Sequence, residues 1–312
     1  MTLLLEKILD FFGQQPVPRS AFQLTSRYFS GIHISPNERK IINHFILPLK
    51  KGMIKPSFNK KNIEYPAMLE ERIKEGLNKI HHSDHKIACL IPELSLKAFV
   101  FSFGSLPPSR EEREQIIRFR VKKQIPLLPD DARFSFDLIR SNNSEKILAA
   151  VARASIVKEY EDLFSRLRLK VRTVGVPTLS LLYLINREKE KDFLLVNIEE
   201  DSLSLIAIVN SEIALYRLKP LIASAQVNIS RQQRIEEIVK EVENTVNFIE
   251  DRERKKIHSI WVRLGLLDTE DDIFSLLKEK LTFPLNGIET CLTSKLDLRE
   301  KKILSPLIGQ IL

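Results

Sequence analysis

Two stretches of this chain show the same order of elements, a meander of apolar strands followed by an amphipathic helix. The first stretch begins near Phe29 and the second near Phe193. Apolar and polar residues alternate along the strands, and apolar residues three or four positions apart indicate helices at 66–80 and 230–255. A repeat of this kind predicts two α/β lobes that face each other across a cleft.

The segment between the two repeats has elements of its own. Ser109 and Glu112 stand three positions apart, as in a capping box, and Pro126 marks the end of the helix that they begin. Apolar side chains line one edge of this helix, and arginine and lysine occupy much of the rest. The strands ARFSFDLI and KILAAVA follow, so the segment holds one helix and at least two strands.

The composition is ordinary for a folded protein, with 43% hydrophobic and 29% charged residues. The net charge of +8 permits an anionic partner. However, the cations of the helix after Ser109 surround that helix and do not form one stripe. We therefore expect a solvated surface and no nucleic-acid partner.

The first residues, MTLLLEKILDFF, form an amphipathic stripe that is too short and too charged to span a bilayer. We expect residues 1–24 to be an N-terminal amphipathic helix and linker, with the stripe docked on the body of the protein. A membrane interface is the alternative. Because no cleavage site follows and both cysteines lie in apolar runs, we expect a cytoplasmic protein.

Nine glycines are spread along the chain and form no glycine-rich loop. Phosphate-binding loops need glycine so that backbone amides can approach the phosphates closely, which argues against a conventional nucleotide site. The cluster HHSDH at 81–85 has zinc-ligand residue types but is typical of a polar turn, and Cys89 lies in an apolar run. We expect no metal site and no catalytic thiol.

Four stretches resemble the actin-like PilM proteins of type IV pilus assembly, which are relatives of FtsA and of the cytoplasmic domain of GspL. SGIHISPNERKI resembles the first phosphate hairpin of that family, and FLLVNIEEDSLSLIAI resembles the second. LPPSREEREQIIRFRVKKQIPLLPDDARFSFDLI resembles the inserted subdomain, and LSPLIGQIL resembles the closing helix. The resemblance covers roughly residues 25–312, in the family's order and spacing.

The resemblance implies an α/β, actin-like (RNase H-like) fold of two lobes, with an inserted α+β subdomain in the first lobe. It places the first lobe at 25–190, with the subdomain at about 105–175, and the second lobe at 191–312. Such a fold would hold ATP and Mg²⁺ in the cleft between the lobes if the family's site persisted.

The chain departs from the family at the positions that hold nucleotide phosphates. The resemblance aligns the aspartates before the two phosphate turns with His33 and Asn197, and the turn glycines with Ser35 and Glu199. Gly265 is the one glycine that remains of the family's glycine run on the adenosine side of the site. The predicted remnants of the nucleotide site are His33, Ser35, Asn37, Lys40, Asn197, Glu199 and Gly265.

Three acids, Glu199, Glu200 and Asp201, fill the second turn. A carboxylate about 4 Å from a phosphate oxygen costs about 4 kcal/mol per charge pair at an effective dielectric constant of about 20. We therefore expect no cofactor and no catalytic residue, and we expect the acids to pair with Arg263 or Lys40 across the cleft. An active actin-like ATPase or kinase with divergent phosphate loops is the alternative.

In the PilM family, a groove between the first lobe and the inserted subdomain binds the N-terminal tail of PilN, a single-pass inner-membrane protein, as an extended peptide. The resemblance implies a non-catalytic scaffold of a type IV pilus or type II secretion-like platform, cytoplasmic and held at the inner membrane by a PilN-like partner. Other platform proteins are possible further partners. Segments 96–104 and 113–139 would form the groove, and the candidate contacts are Ile116, Phe119, Ile125, Leu127 and Phe136.

Overall fold

The computed structural model describes residues 18–35, 40–80, 85–140, 145–186, 188–221, 230–267 and 270–311. The predicted N-terminal amphipathic stripe, Asn37 and most of the HHSDH cluster lie outside these residues. Within the described part of the chain, no helix is long and apolar enough to cross a membrane.

The first sheet begins with an antiparallel meander of β1 (Ser20–Leu24), β2 (Tyr28–Ile34) and β3 (Ile41–Pro48). Helix α1 (Pro66–Ile80) follows, and β4 (Lys86–Leu90) then pairs in parallel with β1. The apolar side of α1 packs on one face of this sheet, among the phenylalanines of β1, β2 and β3. The helix comes so close to the sheet that a Cβ at Gly76 would overlap the Phe45 ring.

The chain then leaves the first sheet to form the inserted subdomain. It comprises β5 (Leu96–Phe103), helix α2 (Arg110–Gln124), β6 (Ala132–Arg140) and β7 (Glu145–Arg153). The strands form an antiparallel sheet in the order β5-β7-β6, and α2 covers one face of it with Ile117 and Val121. Ser109 caps α2 by accepting a hydrogen bond from the Glu112 amide at 3.4 Å, as the capping-box spacing predicts.

Helix α3 (Ala154–Ser165) and β8 (Lys170–Gly175) return to the first lobe, where β8 completes the order β3-β2-β1-β4-β8. The predicted subdomain limits of 105–175 therefore need correction. The subdomain begins with β5, because β5 pairs with β7, and it ends at Arg153, because α3 packs in the core of the first lobe.

The second lobe repeats the first. Its meander is β9 (Phe193–Ile198), β10 (Ser202–Val209) and β11 (Glu212–Pro220), followed by helix α5 (Arg231–Glu253), β12 (Ser259–Leu264), helix α6 (Glu270–Lys280) and β13 (Leu285–Gly287). The order β11-β10-β9-β12-β13 matches that of the first sheet, strand for strand. The predicted duplication is confirmed, but its first copy begins at Ser20 and not near Phe29. The boundary at residue 25 is therefore too late.

Two helices lie between the sheets. Helix α4 (Pro177–Leu181) packs on the second sheet, and the terminal helix α7 (Leu298–Ile311) covers the free face of the first sheet. They cross where Gly309 meets the Ser180 carbonyl, so closely that a Cβ on Gly309 would overlap it. The range 191–312 is therefore not one lobe, because α7 completes the first.

Candidate functional site

The turn between β1 and β2 and the turn between β9 and β10 meet at the centre of the molecule. Gln23 Nε2 donates a hydrogen bond to Glu199 Oε1 at 3.1 Å, and the Tyr28 hydroxyl lies 3.2 Å from both Glu199 oxygens. Burial raises the pKa of Asp201, and the Ser26 side chain opposes this shift. The two repeats thus face each other through their first turns.

Arg263, on β12, lies completely buried between these turns. Its Nη1 donates to Glu199 Oε1 and, at 3.0 Å, to Asn197 Oδ1. Its Nη2 donates to the Tyr28 hydroxyl at 2.8 Å and to the Ile303 carbonyl at 3.0 Å. Its Nε donates to the Lys302 carbonyl at 2.9 Å, so all five N–H groups of the guanidinium are satisfied.

Two acids of the β9–β10 turn, Glu199 and Glu200, have an arginine partner. Glu199 pairs with Arg263, as predicted, and not with Lys40. Glu200 Oε2 lies 3.6 Å from Nη1 of Arg234, at the start of α5. Arg234 Nη2 also donates to the carbonyls of Glu199 at 2.9 Å and Glu200 at 3.0 Å. Two arginines therefore meet the charge of Glu199 and Glu200 in this turn.

Burial and the mutual attraction of the two charges together set the pKa values of Glu199 and Arg263. Burial raises the pKa of Glu199 to about 7, although the Arg263 guanidinium opposes the shift. Burial also acts against the charge of Arg263, but Glu199 and Tyr28 outweigh it and keep the pKa of Arg263 above its usual value. The guanidinium therefore stays charged, and each of its buried N–H groups requires a hydrogen-bond acceptor.

A chain of hydrogen bonds extends from this pair to the base of the subdomain. Asn197 Nδ2 donates to Thr178 Oγ1 at 3.0 Å, and the Thr178 amide donates to Glu93 Oε1 at 2.7 Å. The Tyr216 hydroxyl, on β11, donates to the other oxygen of Glu93. Burial raises the pKa of Glu93. We call the connected side chains the central polar cluster: Gln23, Tyr28, Glu93, Thr178, Asn197, Glu199, Tyr216 and Arg263.

The structure places the predicted first phosphate hairpin away from the central polar cluster. His33 lies at the far end of β2 from Tyr28, where its Nδ1 is 2.8 Å from Ser20 Oγ. Five residues of extended strand separate the two ends by about 16 Å, so His33, Ser35 and Lys40 do not reach the cluster. By topology, Gln23 stands where Asn197 stands in the second repeat, two residues before the turn. Sequence reasoning missed Gln23 because β1 directly follows two prolines.

The structure does bring Asn197, Glu199 and Gly265 together. A Cβ on Gly265 would lie 2.6 Å from Glu199 Oε2 and would overlap the Arg263 guanidinium. The Gly265 amide donates to the Ile198 carbonyl at 2.7 Å, and the Glu199 amide to the Ser202 carbonyl at 2.9 Å. Because Gly265 has no side chain, it leaves space for the ion pair of Glu199 and Arg263. Both amides already donate hydrogen bonds to carbonyls of the protein.

A catalytic thiol and a metal site are the other candidates that the sequence raised. Cys89 is completely buried, and this burial raises the pKa of its thiol. Among the residues that the structure describes, no three histidine, cysteine or acidic side chains are grouped to hold a metal ion.

The predicted partner contacts divide into two groups. Ile116, Ile125 and Phe136 are half-buried, and the last two pack in the core under α2. Phe119 is 60% exposed and Leu127 91% exposed. Helical geometry turns Phe119 about 200° from the buried Ile117, so it faces away from the subdomain. The two exposed residues therefore do not line a groove beneath α2.

Sequence reasoning missed a stripe of aromatic rings on the edge strand β5. Phe99, Phe101 and Phe103 are half-buried on the α2 side, with ring centroids 5.7 and 6.5 Å apart. Phe58, from the first lobe, packs in the same cluster. The alternating phenylalanines of LKAFVFSF were the available signal.

No family model and no curated protein matches the chain. Solved structures do match it. A PilM–PilN type IV pilus biogenesis complex aligns with a TM-score of 0.74 at 15% identity, over 94% of this chain and 97% of the other. A Bacteroides thetaiotaomicron protein of unknown function with an actin-like ATPase fold aligns with a TM-score of 0.52 at 10% identity, over 93% and 94%.

The cytoplasmic domain of EpsL, an inner-membrane component of the type II secretion system of Vibrio cholerae, aligns with a TM-score of 0.51. It is 9% identical over 93% of this chain and 94% of the other. These likenesses confirm the resemblance to PilM. The chain therefore has the actin-like ATPase fold.

Proposed function

We propose that this protein is a non-catalytic scaffold in the inner-membrane platform of a type IV pilus or a related secretion machine. One observation carries the proposal: the chain shares its architecture, over nearly its whole length, with a protein of the PilM–PilN complex. The likeness to the EpsL cytoplasmic domain supports the same setting. The protein would be cytoplasmic and would reach the membrane by binding a single-pass partner.

The absence of catalysis rests on the central polar cluster. The carboxylate of Glu199 and the guanidinium of Arg263 fill the place where the two turns meet, and amide side chains, Gln23 and Asn197, stand before both turns. Amides carry no charge to hold Mg²⁺, which prefers carboxylates and phosphates. The fold would then serve as a rigid support.

We expect no Mg-ATP binding tighter than about 10 µM in isothermal titration, a limit worth roughly 7 kcal/mol. The physical reason is that phosphate would have to displace a fully hydrogen-bonded ion pair. The active ATPase is the second candidate. Phosphate release by the purified protein that is lost in both Asn197→Ala and Glu199→Ala, with their folds intact, would favour it.

The groove for the partner's tail would lie along β5. This strand forms one edge of its sheet, and an extended peptide can add to such an edge through main-chain hydrogen bonds. Phe99, Phe101 and Phe103 would offer pockets for alternate side chains, and Ile116 would close the groove from α2. The half-buried rings supply apolar area without unfolding any element.

Replacing Phe101 by serine is expected to weaken binding of the partner's cytoplasmic tail at least about tenfold, because it removes the central ring of the stripe. The tail would be recovered by pull-down from cell membranes and titrated as a peptide. Phe248→Ser is the matched control, since Phe248 is a partly exposed phenylalanine on α5. Equal affinity of the Phe101 variant and the control would rule out this groove.

A further inference from the structure

The exposed end of α2 combines apolar and cationic side chains. Phe119 is 60% exposed and Leu127 is 91% exposed, more than the other large apolar side chains described in the subdomain. The segment 118–128, RFRVKKQIPLL, contains four cations and no carboxylate. The acids of α2, Glu111, Glu112 and Glu114, all lie in its first half.

One cation of this segment lies beside the exposed Phe119 ring, and two others lie over rings of the subdomain sheet. Lys123 Nζ lies 4.5 Å from the centre of the Phe119 ring, and Arg120 lies 5.4 Å from the centre of the Phe103 ring. Arg118 lies 4.3 Å from the Phe134 ring and also pairs with Glu114. Lys122 and Lys123 are exposed. A segment that exposes two large apolar side chains together with lysines complements a surface that has negative headgroups over hydrocarbon.

We propose that the end of α2, defined as residues 118–128, docks directly on an anionic lipid bilayer, with Phe119 and Leu127 inserted at the headgroup level. A nucleic acid fits less well. Leucine cannot stack on a base, and Lys123 already covers one face of the Phe119 ring. A peptide groove also fits less well, because Phe119 projects outward from the helix. This inference does not depend on the proposed partner.

The test is flotation of the full chain, without any partner, with vesicles of phosphatidylcholine alone or with about a third phosphatidylglycerol. We expect binding to the anionic vesicles that falls with added salt. The double variant Phe119→Ser, Leu127→Ser should bind at least about tenfold more weakly. Lys122→Glu with Lys123→Glu should lose the preference for anionic lipid, because each cation contributes about fivefold.

Phe248→Ser is again the control, since Arg217 and Arg252 lie over its ring at 5.8 and 5.1 Å, on another surface. A second readout uses Leu127→Trp, whose emission should shift to the blue when anionic vesicles are added. The native Trp261, half-buried on β12, gives a constant background.

Equal flotation of the double serine variant and the wild type would overturn the proposal. So would unchanged emission from Leu127→Trp with anionic vesicles. Binding to single-stranded RNA that is lost in the double glutamate variant, together with no vesicle binding, would assign this surface to nucleic acid instead.

Discussion

Replacing Arg263 by leucine is expected to lower the free energy of unfolding by about 3–5 kcal/mol. The change removes five hydrogen bonds at once and leaves Glu199 buried without its cation. An unpaired buried carboxylate costs far more than the loss of the contact itself. Urea unfolding at neutral pH, followed by circular dichroism, measures the difference.

The double variant Arg263→Leu, Glu199→Leu separates two explanations. If the loss comes from the unpaired charge, the second change should restore much of the stability, because apolar side chains of similar volume can replace a buried ion pair. If instead the double variant is as unstable as the sum of both single variants, the pair is not the coupled unit described above. Arg234→Leu, which removes a partly buried arginine near the start of α5, should cost less than Arg263→Leu.

Replacing Gly309 by valine is expected to destabilise the protein by about 3 kcal/mol. The new Cβ would overlap the Ser180 carbonyl and lie 2.8 Å from its carbon, so α7 would have to move away from α4. This backbone has no flexible end that could move aside. Thermal unfolding monitored by calorimetry should show the loss as a clear fall in Tm.

Gly309→Ala gives a sharper form of the same test. Alanine favours a helix interior over glycine by about 1 kcal/mol, so propensity alone predicts stabilisation. We expect destabilisation, because the Cβ is sufficient for the overlap. Gly104→Ala is the control, since nothing lies within 4 Å of a Cβ there. A stabilised Gly309→Ala protein would show that α4 and α7 do not meet as closely as described.

The sequence was enough to predict the two-lobed fold, because α1 and α5 follow the helical period and the strands β9 to β11 are apolar runs separated by clear turns. It failed for β1, a strand of only five residues. Pro16 and Pro18, just before it, suggested a linker. Because this strand was missed, the predicted hairpin lies at the end of β2 that is far from the central polar cluster.

The centre of the site was partly predictable. An arginine inside the apolar strand SIWVRL requires buried acceptors, and the three acids of the β9–β10 turn were available. The other partners were not predictable, because Tyr28 and the carbonyls of α7 come from distant parts of the chain. Only the packing of α7 against the first sheet brings them to Arg263.

Helix α7 has a consequence for the order in which the chain can fold. The face of the first sheet that holds Tyr28, Ile32 and Leu90 is covered by the last helix of the chain. During synthesis, this apolar face would remain open until the ribosome had released α7, long after β1 and β2 had emerged. The first sheet is therefore covered on this face only after the second repeat has been made.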